Sequence, residues 1–240
     1  MMLFYKAWRD SRTRFLWGAL ALASFLVFIV LKLPEMEVTL APLGGRAYRD
    51  YIDGMAGSFG KMIFGLLVIF LGLGGLLRER ARRTAVFTLA LPVSRAQLLG
   101  AQIAVGLVET ALLALLPTVV IPPVSRMAHQ SYSVEQALRF SILWCCCGTV
   151  IFALSLFFSV LLRGEYTAAI VCCIALAVNA RMSNWHALRP SRLNLWRTMG
   201  APSDIRLFYG EFPWMDLAIM MLIALALLAA ATRITQRQSL

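Results

Sequence analysis

Residues 140–162 form a run of 23 positions without a charged side chain, closed by Arg139 on one side and Arg163 on the other. A helix that crosses a bilayer needs about 20 mainly apolar residues. Five more apolar stretches accompany this run, at 15–31, 62–77, 98–121, 166–180 and 217–232. A soluble fold of 240 residues cannot hide that much apolar surface, and only 15% of the chain is charged, against about 25% in soluble domains. The bilayer is the expected solvent. No water there satisfies a free N–H or C=O, so each stretch should be a helix that pairs its own backbone. The alternating pattern of a membrane barrel is absent.

The expected architecture is an all-α membrane protein, one domain over 1–240. Its six transmembrane helices are expected at 15–32, 59–77, 98–121, 139–162, 166–181 and 214–232. The fifth is the shortest and follows the fourth through Arg163-Gly164-Glu165, as in a tight helical hairpin. Arg14, Lys32, Lys61, Arg181 and Arg233 lie near span ends, where long stems let the charge snorkel to the headgroups. The first stretch is too long for a signal peptide and lacks a small-residue cleavage site, so it is read as a retained helix. Before it, Leu3, Phe4, Ala7 and Trp8 share a helical face opposite basic positions, as in an N-terminal interfacial helix. Pro117, Pro122 and Pro123 are expected to bend or end the third span. The long loop after the fifth span carries Trp185, Trp196, Phe208 and Tyr209 among arginines, as short helices at the membrane interface do.

The net charge of +11 reports topology before it reports nucleic acid. Basic residues concentrate before the first span (Lys6, Arg9, Arg12, Arg14) and between spans two and three (Arg78, Arg80, Arg82, Arg83, Arg95). The positive-inside rule then places both termini in the cytoplasm of a cell whose inner membrane holds the chain. Arg181, Arg189, Arg192, Arg197 and Arg206, in a loop read as outward, oppose that orientation.

No nucleotide-binding loop, zinc-protease motif or nucleophile elbow occurs. His129 and His186 fall in separate loops, and all five cysteines lie in apolar stretches without zinc-ligand spacing. The chain is expected to have no catalytic residues, no metal site, no cofactor of its own and no nucleic-acid partner. Glu109 is the only acidic residue within the third span. A charge in lipid costs about 2.5–3.5 kcal/mol on insertion scales, so Glu109 should face the bundle or a wet cavity, as a structural carboxyl or a residue of a translocation path. Gly65, Gly72 and Gly75 share one side of the second span, where small residues permit close helix contact. Asn179 and Arg181 can pair with a neighbour at the end of the fifth.

Between spans two and three stand Glu79-Arg80, Thr84, Phe87-Thr88-Leu89 and Leu91-Pro92-Val93-Ser94-Arg95. This segment resembles the cytoplasmic stretch of the ABC-2 type exporter permeases, a family of six-span subunits. Lys6-Ala7-Trp8-Arg9-Asp10 is similar to that family's N-terminal elbow, and residues 231–234 to its last exit. Arg83 stands where the family often has Gly. The resemblance implies a permease fold that pairs with a second permease subunit, identical or not, in membrane lipid. It also implies separate cytoplasmic ABC ATPase subunits that hold ATP and Mg. Glu79, Arg80, Arg83, Thr84, Phe87, Pro92, Ser94 and Arg95 would then form or support the coupling helix that docks on the ATPase. The competing reading is an ion-coupled secondary transporter, or another polytopic membrane protein without an ATPase. A secondary transporter would carry discontinuous helices in matching halves and several intramembrane charges.

Overall fold

A computed structural model of the chain describes residues 2–32, 45–73, 95–130, 132–162, 165–182, 194–200 and 212–237. Among these residues the regular structure is helical throughout, with no strand. The elements are α1 (Met2–Leu31), α2 (Gly45–Met55), one π-helical turn (Ala56–Gly60), α3 (Lys61–Gly72), α4 (Arg95–Met127), α5 (Val134–Leu161), α6 (Glu165–Met182), the single turn α7 (Leu195–Thr198) and α8 (Trp214–Arg237).

Among the described residues five helical stretches are long and apolar enough to cross a membrane: Leu3–Leu31, Asp50–Gly72, Gln97–Met127, Val134–Leu161 and Trp214–Arg237. The expected fifth span is a shorter apolar helix, Thr167–Met182. The surface is apolar where a soluble protein would be polar, with Trp17 68% and Leu222 66% exposed. The long helices of an all-helical membrane protein turn such a face to lipid.

Three expectations about the ends of spans change. The separate interfacial helix before span one is replaced by the unbroken 30-residue α1. The stretch Asp10-Ser11-Arg12-Thr13-Arg14 holds neither Pro nor Gly to interrupt the hydrogen-bond ladder. At 1.5 Å per residue α1 is about 45 Å long, longer than a hydrocarbon core of about 30 Å. The second span begins at Asp50 rather than 59. Its first turns carry charge, but Asp53 is 1% exposed and takes hydrogen bonds from Tyr132 Oη (2.6 Å) and Gln136 Nε2 (2.5 Å). The prolines do not end the third span, since α4 runs through all three to Met127. Its end is set by the backbone beyond. His129 takes φ 57°, His129 N–H donates to the Arg126 carbonyl and Gln130 N–H to the Ser125 carbonyl. This is a Schellman cap with His in the left-handed position that usually holds Gly.

Side-chain contacts fix the helix directions. Arg14 Nη1 reaches the Phe70 carbonyl (3.3 Å) and Gly18 faces Leu67, so α3 runs against α1. Ser11 near the start of α1 meets Glu109, while Tyr48, before α3 at the other end, meets Ser125 late in α4, so α4 runs with α1. Thr118 Oγ1 lies 2.6 Å from Ser141 Oγ at one level, and Phe152 fills the space over Gly106 at another, so α5 returns against α4. Leu143 packs with Leu217 and Cys147 with Met220, so α8 runs with α5. Here the end of the bundle that holds the start of α1 is called proximal, and the other distal. α5 is the central helix: 67% of its span window is buried, against 28% for α1 and for α8.

Small residues let these helices close on one another. A Cβ at Gly148 would sit 2.7 Å from the Phe64 ring, and one at Gly106 would sit 2.3 Å from the Phe152 ring. At Gly72 it would stand 1.8 Å from Ser155 Oγ, and at Gly65 3.2 Å from Leu176. The glycine side of the second span is thus a packing face within the subunit at Gly65 and Gly72. Gly75 lies outside the described residues. Trp144, fully buried, stacks on Phe64 with ring centroids 4.7 Å apart and tilts against Phe140 at 5.0 Å.

Candidate functional site

Of the segment read as an ATPase dock, Glu79, Arg80, Arg83, Thr84, Phe87, Pro92 and Ser94 lie outside the described residues. Arg95 is reached only as the first residue of α4.

Glu109 is described and is 1% exposed. It faces the bundle, on the side of α4 that packs against α1. Ser11 Oγ, from the third turn of α1, donates a 2.5 Å hydrogen bond to Glu109 Oε1. Ser11 Oγ also lies 3.1 Å from the Ala7 carbonyl. The contact sets a register that the sequence hides. Counted along α4, Glu109 stands deep inside an apolar span. Counted across to α1, it lies beside the turns that carry Arg9, Asp10 and Arg12, whose side chains are exposed. The carboxylate is therefore held at the level where α1 turns from charged to apolar. Its neighbour Thr110, and Gly106 one turn toward the proximal end, pack against α5 at Gly148 and Phe152.

The distal end holds a second polar group of contacts, built from residues that sequence reasoning passed over. Tyr48 Oη donates to Ser125 Oγ (2.6 Å), which in turn donates to the Ile121 carbonyl (2.7 Å). Burial pushes the Tyr48 phenol above its ordinary 10.0, against the smaller opposing effect of the Ser125 hydrogen bond. Lys61 does not snorkel outward. It is 9% exposed, its Nζ donates to the Trp196 carbonyl (3.1 Å) and it stands 4.7 Å from the Trp196 ring centroid. Trp196 N–H donates to Asn179 Oδ1 (2.9 Å), and Trp144 Nε1 to the Met199 carbonyl (3.3 Å). The expected short helix of the long loop is thus present in α7, capped by Asn194, whose Oδ1 accepts from Arg197 N–H (3.1 Å). It is tied down over the distal ends of α3, α5 and α6, and Met199 is fully buried beneath it. The expected pairing of Asn179 with a neighbour is this bond.

All five cysteines are free thiols. Among the described residues no three His, Cys, Asp or Glu side chains gather as metal ligands would. Among the described residues the arrangement offers packing, two buried hydrogen-bonded carboxylates at Glu109 and Asp53, and a tethered cap.

Compared with models of known families, the chain matches none. No curated protein matches it either.

Proposed function

We propose that this chain is the membrane-spanning permease subunit of an ABC exporter of the ABC-2 type. It would move a substrate across the bacterial cytoplasmic membrane, driven by ATP and Mg held in separate cytoplasmic ATPase subunits. The observation that carries the reading is the segment between spans two and three, from Glu79-Arg80 to Leu91-Pro92-Val93-Ser94-Arg95. Phe87, Leu89 and Leu91 supply an apolar anchor for a groove in the partner. The flanking arginines supply charge that sets orientation.

Six spans with both termini on the cytoplasmic side require α6 to cross. At 18 residues it extends about 27 Å. It lines the same crevice as Leu73 at one level, reaches Gly65 through Leu176 at the next and meets Trp196 through Asn179 at the distal end. A second permease subunit, identical or different, would complete a path between subunits.

The decisive experiment is co-purification with the cognate ABC ATPase, sought first in the neighbouring reading frames. Phe87→Ala and Arg83→Glu should each weaken association and ATPase stimulation. Unchanged association and stimulation in both variants rejects the dock. Thiol labelling of Arg83→Cys and Ser94→Cys from outside the cell, in a cysteine-free background, rejects the topology.

The buried charged residues Glu109, Asp53 and Lys61 favour an ion-coupled carrier instead. Transport that follows an ion gradient and persists without nucleotide would favour that alternative.

A further inference from the structure

The proximal half of the bundle contains a crevice of about 420 Å³ between α1, α3, α4 and α6. Its floor is Leu113, fully buried on α4. Trp17 and Phe70 form its walls, and both are more than half exposed, so the crevice opens sideways toward the bilayer. Ala169 of α6 also lines it. Gly18 marks the inner end, where a Cβ would come within 2.9 Å of Leu67. Among the described lining residues Arg14 is the charged one, and it bonds to the Phe70 carbonyl.

This combination selects its occupant. A water needs two to four polar partners, which apolar walls do not provide. An empty void forfeits the dispersion contacts of its lining. In a bilayer the available filler is an acyl chain. The cation stands where α1 turns from charged to apolar, which is the level of the headgroups. Basic pockets between membrane helices take anionic headgroups by charge, and a guanidinium matches phosphate geometry better than an ammonium does. From the crevice and Arg14 together we infer a binding site for one anionic phospholipid, its chain against Leu113 and Gly18 and its phosphate at Arg14. The site does not depend on the exporter reading.

The test uses the full chain in nanodiscs of equal parts phosphatidylglycerol and phosphatidylcholine, followed by native mass spectrometry of the lipids that stay bound. The intact chain should retain phosphatidylglycerol about fivefold over phosphatidylcholine, the bias expected of one well-placed arginine. Arg14→Gln should abolish that bias and Arg14→Lys should keep most of it. Arg12→Gln, altered on an exposed neighbour, should leave it intact. Ala169→Phe should reduce retention of both lipids by filling the crevice. A melting curve for each variant separates lost binding from lost folding, and the Arg14→Gln and Arg14→Lys pair decides if Ala169→Phe fails to fold. The inference is overturned if the intact chain shows no headgroup bias, or if Arg14→Gln keeps it. It is also overturned by a dimer that retains no lipid, since a second copy would then cover the crevice.

Discussion

Ser11 and Glu109 are 98 positions apart in sequence, and their side chains meet at 2.5 Å across the α1–α4 contact. The pair ties the first helix of the bundle to the longest one at a level where one is charged and the other apolar. It also changes the meaning of Glu109. A carboxylate alone in lipid would be a costly oddity, whereas one that receives a hydroxyl beside the charged turns of α1 has a local partner.

The pair should be energetically coupled. Hydrogen bonds between membrane helices average about 0.6 kcal/mol and reach about 1.7. A double-mutant cycle of Ser11→Ala and Glu109→Gln, read by unfolding in detergent, should return a coupling in that range. Additive effects would mean the bond contributes nothing. If Glu109 serves transport by its charge, Glu109→Gln should fold normally and lose activity. Normal export by that variant would rule out any need for the charge.

Gly72 should tolerate no side chain while Gly54 should welcome one. Gly72→Leu drives a side chain into Ser155 Oγ and the Phe152 carbonyl, an overpacking of about 1–3 kcal/mol. A Cβ at Gly54 meets nothing within 4 Å, so Gly54→Ala within α2 should stabilise by about 0.5–1 kcal/mol. Ser155→Gly should relieve part of the Gly72→Ala defect. Equal melting temperatures for Gly72→Leu and Gly54→Ala would contradict the packing described here.

Lys61 should act as the tether of α7. Lys61→Met removes both the bond to the Trp196 carbonyl and the cation over its ring. In a background with the five native cysteines replaced, Met199→Cys should resist a membrane-impermeant thiol reagent while Lys61 is present. It should react faster, by tenfold or more, in Lys61→Met. Equal rates would show that the cap is held by other contacts, such as the Trp144 bond to Met199.

Tyr48 gives a pH signature. Its phenol is held neutral above 10.0 in the folded chain, while an unfolded chain releases that proton near 10.0. The unfolded state therefore binds fewer protons above that pH, and stability falls as pH rises through it. Tyr48→Phe should cost about 0.5–1.5 kcal/mol at neutral pH through the unmade bond to Ser125. Its alkaline loss should be shallower than that of the intact chain. Parallel curves would remove Tyr48 as a source of the dependence.

Charge-free runs as long as 140–162 were enough to call for helices in lipid, because without the alternation of a closed barrel only a helix pairs its own backbone there. The bundle-facing position of Glu109 and the close packing of Gly65 and Gly72 were also legible, since they follow from the same rule about unpaired charge and small residues. What the linear order could not contain is which charged residues find partners. Asp53 and Lys61 read as marks of a loop and a span boundary, yet Tyr132, Gln136 and Trp196 arrive from distant positions to satisfy them, and the second span lengthens accordingly. Likewise the three prolines read as a bend or a stop, but the helix ended only where His129 adopts a left-handed backbone. The chain by itself determined the solvent and the helices, because burial of apolar surface and backbone pairing are local demands. The tertiary structure decided the register of α1 on α4, the cap over the distal end and the crevice at Arg14, because each requires side chains from separate helices to meet at one depth.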